Sequence, residues 1–314
     1  MLKRFFLFLL LFLFVSRCEA GLPALQGKLL QLTAPHKGKI GIYFLDMNST
    51  FEAQVYGFNA FPAASTIKLP IMAAAYHLKE QGKINLGKMV VLRQNDKLGG
   101  SGVLQWRKPG LSYSLLSLIG YMISFSDNTA TKMVEDSVGL ASINNYLSSI
   151  GMLKTRVTNP TMLSEPPDPN VNMTTPYEMA YLAAKIAKRS GFNDESASDM
   201  LYFMHNQRYK WGIWKGVPPG TYVANKTGNL SRILNDVGIV NTKSGAYVLS
   251  IFTWGFSSQH NARVLINNVS RVVYEEYTGE KVPEIKEPVK KKVVYKKKKK
   301  KKVYRKKIVK RRYR

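Results

Sequence analysis

The 314-residue chain contains one cysteine, Cys18, and four widely separated histidines, His36, His77, His205 and His260. A single thiol excludes an intramolecular disulfide, and histidines without ligand spacing read as structural or surface groups that call for no metal. Acids are scarce as well: 20 Asp and Glu stand against 47 Lys and Arg, a formal net charge of +27. Long apolar runs are missing. The longest, Phe5 to Val15, has 11 residues, against the ~20 that a membrane-spanning helix requires. Neither an internal repeat nor a phosphate-binding glycine loop is present.

That short run has a different use. Lys3 and Arg4 precede it, and Cys18-Glu19-Ala20 follows it before Gly21, the three-part layout of a secretory signal peptide over 1–20. Cleavage near Ala20 is expected to export the protein to the periplasm or beyond the cell. It would also remove Cys18, so a cysteine nucleophile is excluded from the mature chain.

Hydrophobic residues make up 45% of the chain, enough for a sizeable core. The charge is uneven. From Lys286 to Arg314 there are 18 Lys or Arg and one acid, Glu287, giving +17, whereas 21–285 carry 26 bases and 18 acids, giving +8. A wholly basic nucleic-acid-binding domain is therefore disfavoured. A Lys/Arg-rich tail over 282–314 is expected to stay extended through self-repulsion, and to bind an anionic cell-wall polymer, lipid head groups or nucleic acid, or nothing at all.

β-rich runs at Ile40–Asp46 and Phe51–Gly57 predict a hairpin, and Tyr222–Lys226, Ile233–Val240 and Ala246–Trp254 predict three later strands. Between the two groups, three- and four-residue apolar spacing predicts helices at Ile67–Leu78, Leu111–Ile123, Thr129–Val138, Ile143–Ile150 and Pro176–Ile186, with a last one at Ala262–Tyr277. The expected fold is α/β in the α+β sense. An antiparallel sheet of about five strands, flanked by terminal helices, is built from both ends of the chain and carries an inserted all-helical subdomain. In residues, the catalytic domain spans 21–281, its sheet part about 21–62 and 206–281 and its helical part about 63–205.

Ser65-Thr66-Ile67-Lys68 opens the first of these helices. Three residues is nearly one turn, so the hydroxyl and the amine project from one face. Serine is a poor nucleophile until a base adjoins it, and lysine becomes a base when burial and a neighbouring cation lower its pKa. Ser126-Asp127-Asn128 follows 61 residues after Ser65, and Lys226-Thr227-Gly228 a further 100 residues on.

In this order, S-x-x-K, S-D-N and K-T-G resemble the signature of class A β-lactamases and related penicillin-binding proteins. The resemblance extends from about Leu29 to Tyr277 and includes Leu98-Gly-Gly-Ser-Gly-Val-Leu-Gln105. It implies that Ser65 attacks the amide carbonyl, with Lys68 taking its proton, and that Ser126 protonates the departing nitrogen. Asn128 would bind Lys68 and the substrate amide, and Lys226 and Thr227 the substrate carboxylate. Gly228 would let the strand approach the ligand, and the backbone N–H groups of Ser65 and Asn229 would form the oxyanion hole. No cofactor is called for, and the catalytic domain is expected to be a monomer.

Deacylation needs a further base. Glu165-Pro166 imitates the family's Glu-Pro, yet Asn170 follows Glu165 by five residues instead of four, and counting from Thr158 puts Ser164 nearest the catalytic position. Glu165 is the candidate base, with Asp168 a weaker substitute. Three activities share the same serine: hydrolysis of β-lactams, cleavage of D-alanyl-D-alanine peptides as a carboxypeptidase or endopeptidase, and binding or sensing through a long-lived acyl group.

Overall fold

The computed structural model describes residues 22–36, 39–158, 166, 168 and 170–283. The chain begins with helix α1 over 22–33 and the hairpin β1 (Ile40–Asp46) and β2 (Glu52–Val55). It then passes through β3 (Phe61–Pro62), α2 (Lys68–Glu80), β4 (Met89–Val91), β5 (Ser112–Ser114), α3 (Leu115–Ser124), α4 (Asn128–Val138) and α5 (Leu140–Ser149). Next come β6 (Met173–Thr174), α6 (Pro176–Ala187) and α7 (Asp194–His205). The strands β7 (Tyr222–Leu230), β8 (Ile233–Thr242) and β9 (Gly245–Trp254) lead into the last helix, α8 (Gln259–Thr278). No described helix is long and apolar enough to cross a membrane.

Five strands form one antiparallel sheet in the order β2-β1-β9-β8-β7, so the two ends of the chain meet at the β1–β9 pair. The expected mixed fold is present, with the sheet between two helical layers. Strand alternation sorts the side chains. Ile40, Ile42 and Phe44 of β1, with Tyr247, Leu249 and Ile251 of β9, pack against α1 and α8, while Tyr43, Val248 and Phe252 join the core of the helical layer. Burial on both faces explains why these strands read as nearly continuous apolar runs.

Helix α8 supplies one cover. Its buried residues Ala262, Leu265, Ile266, Val269, Val273 and Tyr277 recur at three and four, and Ser258 caps its first turn by accepting from the Asn261 N–H. On the other side α2 is buried from Lys68 through Tyr76, which makes it the central helix of the molecule. It holds Ser65 and Lys68 on a support that packing keeps from moving.

Two expectations need correction. Residues 112–114 are the strand β5, pairing with β4, and helix α3 starts only at Leu115, where Ser114 accepts from the Ser117 N–H. Helix α7 lies outside every predicted segment, although Ala197, Met200, Leu201 and Met204 recur at three and four and face the core, because its first turn is polar and the stripe spans only two turns. Its cap was readable: Asn193 accepts from the Ser196 N–H, with Asp194 and Glu195 in the first turn.

The 3-10 turn Ile213–Gly216 packs so closely on α8 that a Cβ at Gly216 would lie 2.4 Å from Ser270 Cβ and 2.5 Å from the Arg271 nitrogen. Gly216→Val is expected to lower stability by about 1–3 kcal/mol in urea unfolding. Gly27, on the exposed side of α1 with nothing near its missing Cβ, is the control. Gly27→Ala should raise stability by up to about 1 kcal/mol.

Candidate active site

Three separate segments converge. A 3-10 turn, Ala64–Ile67, leads without a break into α2 and carries Ser65 with Lys68 directly after it. The junction of α3 and α4 supplies Ser126, Asp127 and Asn128. Strand β7, on the edge of the sheet, supplies Lys226, Thr227, Gly228 and Asn229.

Neither turn is relaxed. Ala64 and Ser126 sit at φ values of 46° and 53°, a left-handed backbone that side chains other than glycine rarely adopt. Such strain costs on the order of 1–3 kcal/mol at each position and persists only where surrounding bonds impose it. Around Ala64, Asn235 Nδ2 donates to the carbonyls of Pro62 and Ala63 at 2.8 and 3.0 Å, and the Ala63 N–H donates to Asn172 at 2.8 Å. Around Ser126, the Asp127 carboxylate accepts from the Val103, Leu104 and Ala130 N–H groups at 2.6, 2.8 and 2.9 Å. Space is exhausted there: a Cβ at Gly102 would fall 2.3 Å from Asp127 Cγ.

At the centre, Lys68 Nζ lies 2.6 Å from the Ser126 carbonyl, 2.8 Å from Asn128 Oδ1, and 3.2 Å from both Ser65 Oγ and Ser126 Oγ. Lys226 Nζ donates to Ser126 Oγ at 3.0 Å and to the Thr227 carbonyl at 2.8 Å. Ser126 Oγ therefore bridges two lysine side chains. Lys68, Ser126, Asn128, Lys226 and Thr227 are all buried, and Ser65 is partly exposed. The one accessible member is the hydroxyl placed to react.

Burial, and then the Lys226 charge, push Lys68 well below the ordinary lysine value, with Asp127 and Glu135 acting in the opposite sense. Burial also lowers Lys226, opposed by Asp236 on β8. The contacts fit a neutral amine. Two carbonyl oxygens can only accept, so they take two N–H donors, and the remaining lone pair faces the serine hydroxyls.

Gly228 lies where β7 meets the serine turn, and a Cβ there would stand 2.9 Å from the Ala63 carbonyl and 3.3 Å from the Ser65 nitrogen. Only glycine fits. Asn229 follows at the exposed end, its side chain accepting from Gln259 at 3.1 Å. Glu165 and Ser164 lie outside the described residues. The base of their loop is pinned by Thr158 N–H to Asn172 Oδ1 at 2.8 Å, by a bridge between Arg156 and Met173, and by Glu178 accepting from the Lys154 N–H at 2.8 Å. Asp168, near Asn170, accepts from its N–H at 2.8 Å.

Sequence reasoning missed the supporting residues. Behind β7, Trp214 Nε1 donates to Asn225, Asn225 donates to Asp236, and the Ile213 N–H donates to Asp236, at 3.0, 2.8 and 2.8 Å. An Asn-Asp pair at 235 and 236 inside an apolar strand was the available signal, since polar groups buried in strands need stated partners.

Asp127→Asn keeps the volume but turns an amide N–H toward backbone donors. A loss of about 1–3 kcal/mol is expected in urea unfolding. Unchanged stability would mean that the carboxylate does not hold the turn.

A family model for the beta-lactamase enzyme family matches residues 24–277. Among solved structures, the penicillin-G acyl-enzyme complex of a PBP-A mutant is 30% identical, with a TM-score of 0.77 over 82% of this chain and 97% of that one. A beta-lactamase from Sphaerobacter thermophilus is also 30% identical, with a TM-score of 0.76 over 84% and 99% of the two chains. The extended-spectrum beta-lactamase PER-1 of Pseudomonas aeruginosa is 23% identical over 81% of this chain and 87% of its own. The chain thus belongs to the beta-lactamase enzyme family, as a serine hydrolase of the class A β-lactamase and penicillin-binding-protein kind.

Proposed function

We propose that the protein is an exported β-lactamase that opens the β-lactam amide through an acyl group on Ser65. One observation carries this: a buried Lys68 amine 3.2 Å from a partly exposed Ser65 hydroxyl, with Ser126 shared between Lys68 and Lys226. Ser65 Oγ attacks the carbonyl carbon and its proton passes to Lys68 Nζ. The C–N bond then breaks, and Ser126 gives the nitrogen its proton and is resupplied by a lysine. The Ser65 and Asn229 N–H groups stabilise the oxyanion. Asn128 orients Lys68 and the substrate amide, and Lys226 and Thr227 hold the carboxylate. Water activated by Glu165 then cleaves the ester and frees Ser65 Oγ.

A second reading, a D-alanyl-D-alanine carboxypeptidase or endopeptidase, has its own support. Only 13 residues, 159–171, separate Thr158 from Asn172, which bond to each other, and PBP-A is among the similar solved structures. A binding or sensing role, with an acyl group that stays on Ser65, is the limiting case of slow deacylation.

Stopped-flow turnover of a chromogenic cephalosporin, combined with intact mass spectrometry, separates these readings. Sustained turnover is expected, with the adduct accumulating in Glu165→Gln. A one-equivalent burst with a lasting adduct would favour the peptidase. Ser65→Ala should form no adduct, and Lys68→Ala should slow acylation by about 10²- to 10⁴-fold.

The pH dependence has a definite sign. Lys68 must be neutral to accept the proton, and burial together with Lys226 favours the neutral form. Acylation should therefore fall on acidification along a limb well below the ordinary lysine value of 10.5. A limb near that value would contradict a buried base.

The tail is proposed to hold the enzyme on an anionic cell-wall polymer. Deleting 286–314 should abolish binding to peptidoglycan sacculi and remove its steep salt dependence, with catalysis in solution unchanged. Equal binding by the deletion would leave the tail without this role.

A further inference from the structure

Five carboxylates are buried among the described residues, and four have partners. Asp46 accepts from Tyr277 and the Asn48 N–H, Asp127 from three backbone donors, Glu178 from Thr155 and the Lys154 N–H, and Asp236 from Asn225 and the Ile213 N–H. The fifth, Glu135 on α4, is 3% exposed, and neither of its oxygens has a hydrogen-bond partner among the described residues. An uncompensated carboxylate in the interior is costly, and apolar residues of similar size would pack there without that cost. Its retention therefore asks for an explanation beyond packing.

Position supplies one. Glu135 follows Asn128 by seven residues, two helical turns, and so lies on the face from which Asn128 reaches Lys68. The charged groups around it are few. Helix α2 brings Lys68 at its start, with His77, Lys79 and Glu80 at its far end. On α4 itself Lys132 and Asp136 pair with each other at 2.6 Å. Helices α3 and α5 contain no charged residue, their titratable groups being Tyr121 and Tyr146, and Asp96 in the neighbouring turn is engaged by the Arg93 N–H. Burial raises Glu135 to about 7 while Lys68 pulls it down, and Glu135 in turn draws Lys68 upward.

We propose that Glu135 is the buried counter-charge of Lys68, a positioning residue that acts on the reaction only through that amine. The inference rests on Lys68 being the base of the acylation step. When Lys68 takes the Ser65 proton, an ammonium forms in a site from which water is largely excluded. A buried carboxylate on the helix face that carries Asn128 makes that cation cheaper to form and the neutral amine a stronger base.

The test measures acylation against pH in Glu135→Gln, which keeps the volume, and in Glu135→Asp, which keeps the charge. In Glu135→Gln the acid limb should move to lower pH, by about half a unit to one unit, because the nearby anion no longer favours the ammonium. Glu135→Asp should restore part of that shift. Stability moves in its own direction. A carboxyl raised from 4.5 to about 7 in the folded state favours unfolding as pH rises through that window, since the unfolded chain ionises more readily. The melting temperatures of Glu135→Gln and wild type should therefore diverge between about pH 5 and pH 8, with the variant the more stable. An unmoved acid limb in Glu135→Gln, in a protein where Lys68→Ala slows acylation as expected, would overturn the proposal and leave Glu135 a structural residue. Normal acylation by Lys68→Ala would instead remove the base assignment and this inference with it.

Discussion

Two fully buried lysine side chains reach the same hydroxyl, Ser126 Oγ, and the rest of the site follows from that arrangement. Two ammonium groups so close in a poorly polarisable interior cannot both stay charged at low cost. One must yield its proton, and the surroundings decide which. Lys68 has two carbonyl acceptors and two hydroxyls around its nitrogen, a set that suits a neutral amine. Lys226 has Asp236 across the sheet to favour its cation. The asymmetry favours the neutral amine at Lys68 and the cation at Lys226, which is what the proposed roles of base and anion-binding group require.

Holding that geometry takes backbone strain, and the fold places polar support beside Ala64 and Ser126, the two strained residues of the site. Asn235, reaching from the second strand in, braces the carbonyls of Pro62 and Ala63 next to Ala64. Asp127 braces the turn next to Ser126 from the opposite side. Since three segments distant in sequence must agree, no one of them forms the site alone. The antiparallel sheet makes the agreement possible, because β8 carries the brace, β7 carries Lys226 and Gly228, and their register is fixed by nine consecutive pairs.

Much of this was legible in the sequence. The three short motifs singled out Ser65, Lys68, Ser126, Asn128 and Lys226, and the fold brings these five side chains into one cluster. Strands β1, β8 and β9 were legible because both faces are covered and their apolar runs stand out, and β2 because Ala53 and Val55 alternate with polar residues next to a turn. What stayed hidden obeys weaker local rules. Helix α7 turns Ala197, Met200, Leu201 and Met204 to the core, a stripe that starts only after a polar first turn and spans just two turns. Asp236 and Asn235 act across strands, and Glu135 acts across helices, so their partners are fixed by tertiary contact and leave no pattern within a single segment.

The charge that dominates the composition is therefore separate from the charge that governs the chemistry. Charges in water are screened over about 8 Å in physiological salt, whereas buried groups interact with little screening. Within the protein, two lysines and the carboxylates Asp127, Glu135 and Asp236 form a set with nearly balanced formal charge. The couplings run through Lys68, which Lys226 pushes down and Asp127 and Glu135 draw up, and through Lys226, which Asp236 draws up. A substitution on the exposed surface changes net charge without disturbing this balance. A substitution at one of the five buried positions also changes net charge by a single unit yet alters the field at a buried lysine, which makes location, and not total charge, the controlling quantity.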